Sequence, residues 1–328
     1  MTERSEKLTI WCNAKFSDAV MRRLADGTRD HKVVYASTAS TSVLAAGGAD
    51  PSLPTADVAF GQPDAKQCMA LPKLRWVEVT TAGYTRYDTP EFQEAFRARG
   101  AAFSNVSTVF ADPCAQHVLA MMLAFGRQLL PSYRDQITDR SWHYEKRRYD
   151  SRLLNGQTVV MLGFGAIGKR LAAMLAPYDM KLIAVRRSVH AESGVRIVPE
   201  EQISSVLGEA DHIINILPDN ASTRGYVNAR RLACCKPGAR FYNVGRGTTV
   251  DDRALLEALK SGRIGMAYLD VFEPEPLAKD QAYWDAPNCY VTPHTAGGHH
   301  NQDERIVEHF LSNLAAFQRG EPMVDRIV

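Results

Sequence analysis

Apolar positions fall into short runs separated by helical patterns along almost the whole chain. Runs at 8–13, 33–36, 57–61, 74–81 and 102–105 are continuous enough for strands, and a stronger series follows at 158–162, 181–185, 212–217, 240–244, 265–271 and 289–291. Helical patterns such as 169–175 and 252–260 lie between members of the second series. The alternation predicts an α/β protein with parallel sheets covered by helices, and six strands in this order suit a doubly wound sheet. Asp112-Pro113 reads as an N-cap followed by proline at the first helical position, so a helix is expected through Leu130 with Pro131 ending it. The polar, Arg- and Tyr-rich stretch 132–150 reads as a loop region between units. Near the end, Ile306, Val307, Phe310, Leu311, Leu314 and Phe317 recur at helical spacing before Gly320, which predicts a packing helix over 303–319.

The 328 residues suffice for two domains, and 45% apolar with 23% charged residues is the balance of a chain with a proper core, which excludes disorder. Thirty-nine basic against 37 acidic residues leave +2, too little for a broad basic field, so no nucleic-acid partner is expected. No stretch reads as approaching the roughly 18 apolar residues of a membrane span, and the charged start, residues 1–7, has no apolar run behind it. A cytoplasmic location without membrane partner is the expectation. Cysteines 12, 68, 114, 234, 235 and 289 lack Cys-x-x-Cys spacing and read as reduced thiols, which fits a reducing compartment. His294, His299 and His300 have no carboxylate or thiolate at standard spacing to complete a metal site, so no metal is expected. No Gly-x-Ser-x-Gly elbow of a serine hydrolase occurs.

Gly163-Phe164-Gly165-Ala166-Ile167-Gly168 directly follows the strand at 158–162 and precedes a helix whose apolar face is Ile167, Leu171, Met174 and Leu175. The first glycine permits a tight turn, the second a close approach of backbone to pyrophosphate, and the third close helix–strand packing. The helix N-terminus adds free N–H groups and positive dipole. A dinucleotide site is therefore predicted. Where a carboxylate usually takes the adenosine ribose of NAD, this chain has Arg186-Arg187-Ser188. A guanidinium binds a 2′-phosphate that a carboxylate would repel, so NADP(H) is preferred, with NAD(H) retained as possible.

Three later segments, Asn243-Val-Gly-Arg246-Gly-Thr-Thr-Val-Asp251, Leu269-Asp-Val-Phe-Glu-Pro-Glu-Pro276 and Val291-Thr-Pro-His294-Thr-Ala-Gly297, each follow a predicted strand and would gather at the carboxyl edge of one sheet. Together with the glycine loop and Thr80-Thr81-Ala82-Gly83, they resemble the D-isomer-specific 2-hydroxyacid dehydrogenase family, glyoxylate/hydroxypyruvate reductase-like and NADP-preferring. That resemblance implies a Rossmann nucleotide-binding domain (109–299) inserted into a flavodoxin-like substrate domain (1–108 and 300–328), and a homodimer. It implies that Arg246 binds the carboxylate and polarises the ketone of a small 2-oxo acid, that His294 is the general acid/base, and that Glu275 orients His294. Glu273, in the same Glu-Pro repeat, stays open as the alternative orienting carboxylate. Leu217, Pro218, Val244, Gly245 and Asp270 would contact the cofactor, and Thr81, Ala82 and Gly83 the substrate carboxylate. Two positions depart from the family pattern: Thr85 stands where Asp often follows the turn, and Gln116 precedes His117 where Glu is usual.

The implied reaction is NAD(P)H-dependent reduction of glyoxylate or hydroxypyruvate to the D-2-hydroxy acid. Within the same fold, formate dehydrogenases carry Gln at the position of Glu275, and phosphite dehydrogenases a lysine in the substrate turn. The alternative from another class is a non-catalytic NAD(P)-sensing protein, since corepressors related to the family keep the fold and the cofactor site.

Overall fold

The continuous apolar runs become parallel strands. The computed structural model describes residues 6–37, 48–188 and 190–328, so the first five residues of the charged start lie outside it. The chain runs β1 (Thr9–Cys12), α1 (Asp18–Gly27), β2 (Lys32–Tyr35), β3 (Val58–Gly61), α2 (Ala65–Ala70), β4 (Trp76–Val79), α3 (Pro90–Ala98) and β5 (Ala102–Ser104). Next come α4 (Ser107–Gly126), α5 (Leu129–Thr138), α6 (Tyr144–Asp150), β6 (Thr158–Leu162), α7 (Ala166–Leu175), β7 (Lys181–Val185) and β8 (Arg196–Val198). The remainder is α8 (Ile203–Glu209), β9 (His212–Asn215), α9 (Ala229–Ala233), β10 (Ala239–Asn243), α10 (Asp252–Lys260), β11 (Ile264–Leu269), β12 (Cys289–Val291) and α11 (Gln302–Arg319). Two compact units result, Met1–Phe110 with His299–Val328, and Ala111–Gly298.

In the first unit the strand order is β2-β1-β3-β4-β5, every named pair parallel, the 2-1-3-4-5 order of flavodoxin-like sheets. Its last helix supplies an aromatic stack, Phe310 lying 4.1 Å from Phe60 and 5.3 Å from Trp76 between ring centroids. Gly320 ends that helix in the left-handed region, φ 66°, where glycine carries no Cβ penalty. The final residues extend the sheet edge, with Phe103 N–H donating to Val328 O and Ile327 N–H to Phe103 O.

The second unit holds a parallel sheet of order β12-β11-β10-β9-β6-β7-β8, the doubly wound 3-2-1-4-5-6 order with a seventh strand. Both faces are apolar. Val160 and Leu162 enter one core with Ile213 and Phe241, while Val159 and Met161 enter another with Ile214 and Tyr242. Burial on both faces is why these strands read as unbroken apolar runs rather than alternating ones. The order reverses at β6 and β9, where ligands of such sheets bind beyond the carboxyl ends of the strands.

Four local expectations are corrected. The helix expected at Pro113 begins at Ser107, with Pro113 inside it. Val109 already packs in the first unit's core, Asn105 Oδ1 accepts the Ser107 N–H at 3.2 Å, and Asp112 pairs with Arg170 instead of capping. Pro131 opens a helix rather than ending one: Gln128, at φ 58°, interrupts the chain, and Pro131 falls in the first turn of α5, where its missing N–H is no loss. The stretch 132–150, expected as loop, carries most of α5 and all of α6, two helices that bury no side chain and so leave no apolar stripe to read. Finally, the Ser107–Gly126 helix is long and apolar enough to cross a membrane by length and composition, against the expectation that no stretch approaches this. Here its Cys114, Ala115, Val118, Met122 and Phe125 are core residues. The edge strand β8, three residues long, was not anticipated.

Candidate active site

The glycine loop leaves β6 through Gly163, at φ +91°, and enters α7 with Gly165 as its N-cap. A Cβ built on Gly168 would lie 3.0 Å from both Ile216 and Phe164, so the helix packs close here because glycine allows it. Gly165 differs: a Cβ there would meet nothing within 4 Å. The backbone is thus bare at the N-terminus of a ten-residue helix, a cradle that a side chain would fill and a pyrophosphate suits. Phe164 is buried, and Ala166 and Ile167 form the first helical turn. At the end of β7, Arg186 is half-buried and within 3.8 Å of Glu192, which also pairs with Lys169 at 3.1 Å. Arg187 contacts the Ser222 hydroxyl, and Ser188 is exposed. This donor set fits a phosphorylated dinucleotide.

Beyond β9 and β10 a buried polar network shapes the next two loops. Asn215 Nδ2 donates to Asn243 Oδ1 (3.1 Å) and to Thr249 Oγ1 (2.7 Å). Asn243 Oδ1 accepts the Gly245 N–H (3.1 Å), while Asn243 Nδ2 (3.2 Å) and Thr249 Oγ1 (2.6 Å) both donate to Arg246 O. Leu217 and Pro218 follow β9 alongside: a Cβ on Gly245 would sit 2.7 Å from Leu217 O, so this approach requires glycine. Val244 is buried. Asn215 and Thr249 went unremarked in the sequence; the available signal was an asparagine closing each of two apolar runs, at Asn215 and Asn243.

Arg246 leaves this network with Nη1 donating to Gly245 O at 2.6 Å. Burial pulls its guanidinium below the ordinary range, opposed by the negative potentials of Glu275, Cys114 and Asp219. The next residue is decisive for the loop, because a Cβ on Gly247 would lie 2.1 Å from the carbonyl carbon of Phe272. The Arg246 turn is therefore pressed against the segment that carries Glu275.

Glu275 Oε1 accepts the Phe272 N–H at 2.9 Å, and Oε2 lies 2.7 Å from His294 Nδ1. Both side chains keep 32% of their surface exposed. Of the two glutamates in the repeat, Glu275 is the one brought to His294; both Glu-Pro bonds, at Pro274 and Pro276, are cis. His294 sits at φ 54°, held by N–H bonds to Asp270 O (2.8 Å) and Thr292 O (3.0 Å). Asp270, expected to meet the cofactor, has a buried carboxylate engaged by the His294 loop, accepting from Thr292 Oγ1 (2.5 Å), Thr295 N–H (2.8 Å) and Ala296 N–H (3.0 Å). Thr292 is a further residue the sequence reading passed over.

The glycine loop, Arg186 to Ser188, Leu217 to Pro218 and the Arg246, Glu275 and His294 loops all belong to the second unit, whereas Thr81, Ala82 and Gly83 follow β4 in the first. Among the described residues no group of three or more His, Cys, Asp or Glu side chains is arranged to hold a metal ion.

A family model described as D-isomer specific 2-hydroxyacid dehydrogenase, NAD binding domain, matches residues 119–296. A glyoxylate reductase of Pyrococcus furiosus is 31% identical over 257 residues, 76% of this chain and 74% of that protein. Among solved structures, a D-isomer specific 2-hydroxyacid dehydrogenase from Xanthobacter autotrophicus Py2, in complex with NADPH and MES, is 26% identical with a TM-score of 0.80, covering 99% of this chain and 98% of that one. An NADPH-dependent glyoxylate/hydroxypyruvate reductase from Sinorhizobium meliloti, in complex with NADP and sulfate, is 25% identical with a TM-score of 0.78 and 98% coverage of both chains.

Proposed function

The chain belongs to the D-isomer-specific 2-hydroxyacid dehydrogenase family, and we propose that it is an NADPH-preferring reductase of a small 2-oxo acid, glyoxylate or hydroxypyruvate, forming the D-2-hydroxy acid. The family assignment makes it an NAD(P)-dependent oxidoreductase acting on CH–OH groups. One observation carries the finer reading: Arg246 and the Glu275–His294 pair stand on adjoining loops of a single sheet edge, beside a glycine cradle suited to a dinucleotide.

Gly163, Gly165 and Gly168 with Phe164, Ala166 and Ile167 would hold the pyrophosphate, Arg186, Arg187 and Ser188 the 2′-phosphate, and Leu217, Pro218, Val244, Gly245 and Asp270 the nicotinamide end. When bound, the reduced nicotinamide supplies a hydride. The half-buried Arg246 fork pairs with the substrate carboxylate and draws electron density toward the ketone oxygen. Because His294 Nδ1 is taken by Glu275, Nε2 is the ring nitrogen left to give a proton to that oxygen, and to remove it in the reverse oxidation. Glu275, itself fixed by the Phe272 N–H, holds the ring in place. Thr81, Ala82 and Gly83 of the first unit take the substrate carboxylate.

The preference for NADPH rests on Arg186 and Arg187, and is supported by the NADPH and NADP bound in the two similar structures. We assign a second copy of the chain to the segment 129–153, where Tyr133 and Ile137 on α5, Trp142 in the connection, and Tyr144 and Tyr149 on α6 are all exposed, neither helix having a buried side chain. Six unpaired thiols suit a reducing cytoplasm. The test is a panel of 2-oxo acids assayed with NADPH and NADH in parallel. Turnover of a small 2-oxo acid with higher kcat/KM for NADPH supports the proposal; cofactor binding without turnover of any 2-oxo acid would replace it with the nucleotide-sensing reading.

A further inference from the structure

In the first unit, the turn after β4 spends its carbonyl groups inward. Thr81 O accepts the Val106 N–H (3.5 Å), Ala82 O accepts from Asn105 Nδ2 (2.7 Å), and Gly83 O accepts from the Thr81 hydroxyl (2.7 Å). A hydroxyl has one proton, so Thr81 serves Gly83 only if its other neighbour donates to it. That neighbour is Gln62, whose Nε2 lies 3.2 Å from both Thr80 Oγ1 and Thr81 Oγ1. Gln62 is buried, and its backbone is clamped by Asn13: the Gln62 N–H donates to Asn13 Oδ1 (2.7 Å), and Asn13 Nδ2 donates to Gln62 O (3.0 Å). Gly61 makes the clamp possible, at φ +130° and with room for no Cβ, which would fall 2.1 Å from Asn13 Oδ1. With the carbonyls tied, the amide N–H groups of Ala82 and Gly83 have no acceptor among the described residues. A turn that turns its carbonyls inward and presents its amides is built for an anion.

We infer that Gln62 is a positioning residue for substrate carboxylate binding, acting through the Thr81 hydroxyl to keep the carbonyl of Gly83 turned away from the bound anion. The inference rests on the reading that this turn meets the carboxylate of a 2-oxo acid. Gln62→Glu replaces the donor by an acceptor, so the Thr81 hydroxyl turns to the new carboxylate and releases Gly83 O. Thr81→Val removes the hydroxyl at nearly constant shape, and Thr81→Ser restores it.

Steady-state kinetics with glyoxylate and NADPH, together with calorimetric binding of oxalate to the enzyme–NADPH complex, test the inference. Gln62→Glu and Thr81→Val should raise the glyoxylate KM and the oxalate Kd together by about tenfold or more, with kcat and the NADPH KM within about twofold, the signature of lost ground-state binding. Thr81→Ser should stay near the wild type. Should Gln62→Glu fail to fold in a melting experiment, the Thr81→Val and Thr81→Ser pair decides. An unchanged glyoxylate KM, or a lower kcat with KM unmoved, overturns the inference. If Arg246→Ala is crippled while the Gln62 and Thr81 variants match the wild type, the role of Gln62 alone falls. If the wild type reduces no 2-oxo acid, the functional reading falls and this inference with it.

Discussion

Two glycine-bearing turns leave the same sheet edge and use glycine for opposite reasons. After β6, Gly165 has nothing within 4 Å of where its Cβ would stand, which leaves open space at the N-terminus of α7. After β10, Gly247 is bare because Phe272 backbone occupies the Cβ position, 2.1 Å away, and Gly245 because Leu217 does, at 2.7 Å. At Gly165 the missing side chain leaves room, which the proposed function gives to a pyrophosphate; at Gly245 and Gly247 it lets the protein pack Arg246 against the Glu275 loop. A motif of glycines therefore does not state its purpose until the neighbouring backbone is known.

The largest effect is expected at Gly247. Gly247→Ala must displace the Phe272 backbone, and we expect loss of several kcal/mol, of the order of large steric core mutations, with activity abolished in step with the melting temperature. Arg246→Ala should leave the melting temperature nearly unchanged yet lower kcat/KM for the 2-oxo acid by about 10²–10³-fold, the usual effect of removing a charge-stabilising donor; an unchanged kcat/KM removes Arg246 from the mechanism. Gly165→Ala should melt like the wild type but bind NADPH about tenfold or more weakly, since a side chain would intrude where the pyrophosphate meets the helix N-terminus. Equal losses of stability at Gly165 and Gly247 would erase the distinction between the turns. Arg186→Asp should weaken NADPH use by about tenfold more than NADH use, as expected for loss of a charge-assisted phosphate contact. Equal effects on both cofactors would sink the preference.

The smallest effect is a charge that serves the fold alone. His309 on α11 is bonded through Nδ1 to Glu78 and through Nε2 to Asp325, each at 3.1 Å. Burial opposes its charge, but Asp325 and Glu78 outweigh it and raise the imidazole from 6.5 to about 9. A raised folded-state value means the contribution is full below pH 6.5 and is lost as pH rises through about 9. Asp325 is shifted the other way: burial works against its charge, yet His309 and Thr108 hold it low, so its contribution is lost only as acid protonates it. The melting temperature should therefore fall between neutral pH and pH 10, and His309→Gln should flatten that decline without changing the preference between NADPH and NADH.

Much of this was legible in the sequence where a local rule has one dominant cause. β6 and β7 match the apolar runs at their positions because strands with both faces in apolar cores leave no alternation to misread. Gly163 to Gly168 announce a turn, and the Asp251 cap marks the start of α10, accepting the Ala254 N–H at 3.0 Å. What was not legible depends on partners distant in the chain. Pro113 lies within a helix because residues on both sides of it are buried, and α5 and α6 are helical with no apolar stripe to show it. By residue type Glu273 and Glu275 are alike, each before a proline; the family's spacing favours Glu275, and the contact that separates them is with His294, 19 residues beyond Glu275. Asn215 and Thr249 acquire their place only when β9 and β10 lie side by side.

The proposed role of His294, oriented by Glu275, is to exchange the proton of a reduction carried out at this sheet edge. It is tested most directly by stopped-flow single turnover, following nicotinamide absorbance after glyoxylate is mixed with enzyme already loaded with NADPH. The wild type should oxidise the bound NADPH rapidly. His294→Gln, binding NADPH as the wild type does, should slow that step by about 10²–10⁴-fold, the usual contribution of a general acid. Oxidation by His294→Gln at the wild-type rate would contradict the account.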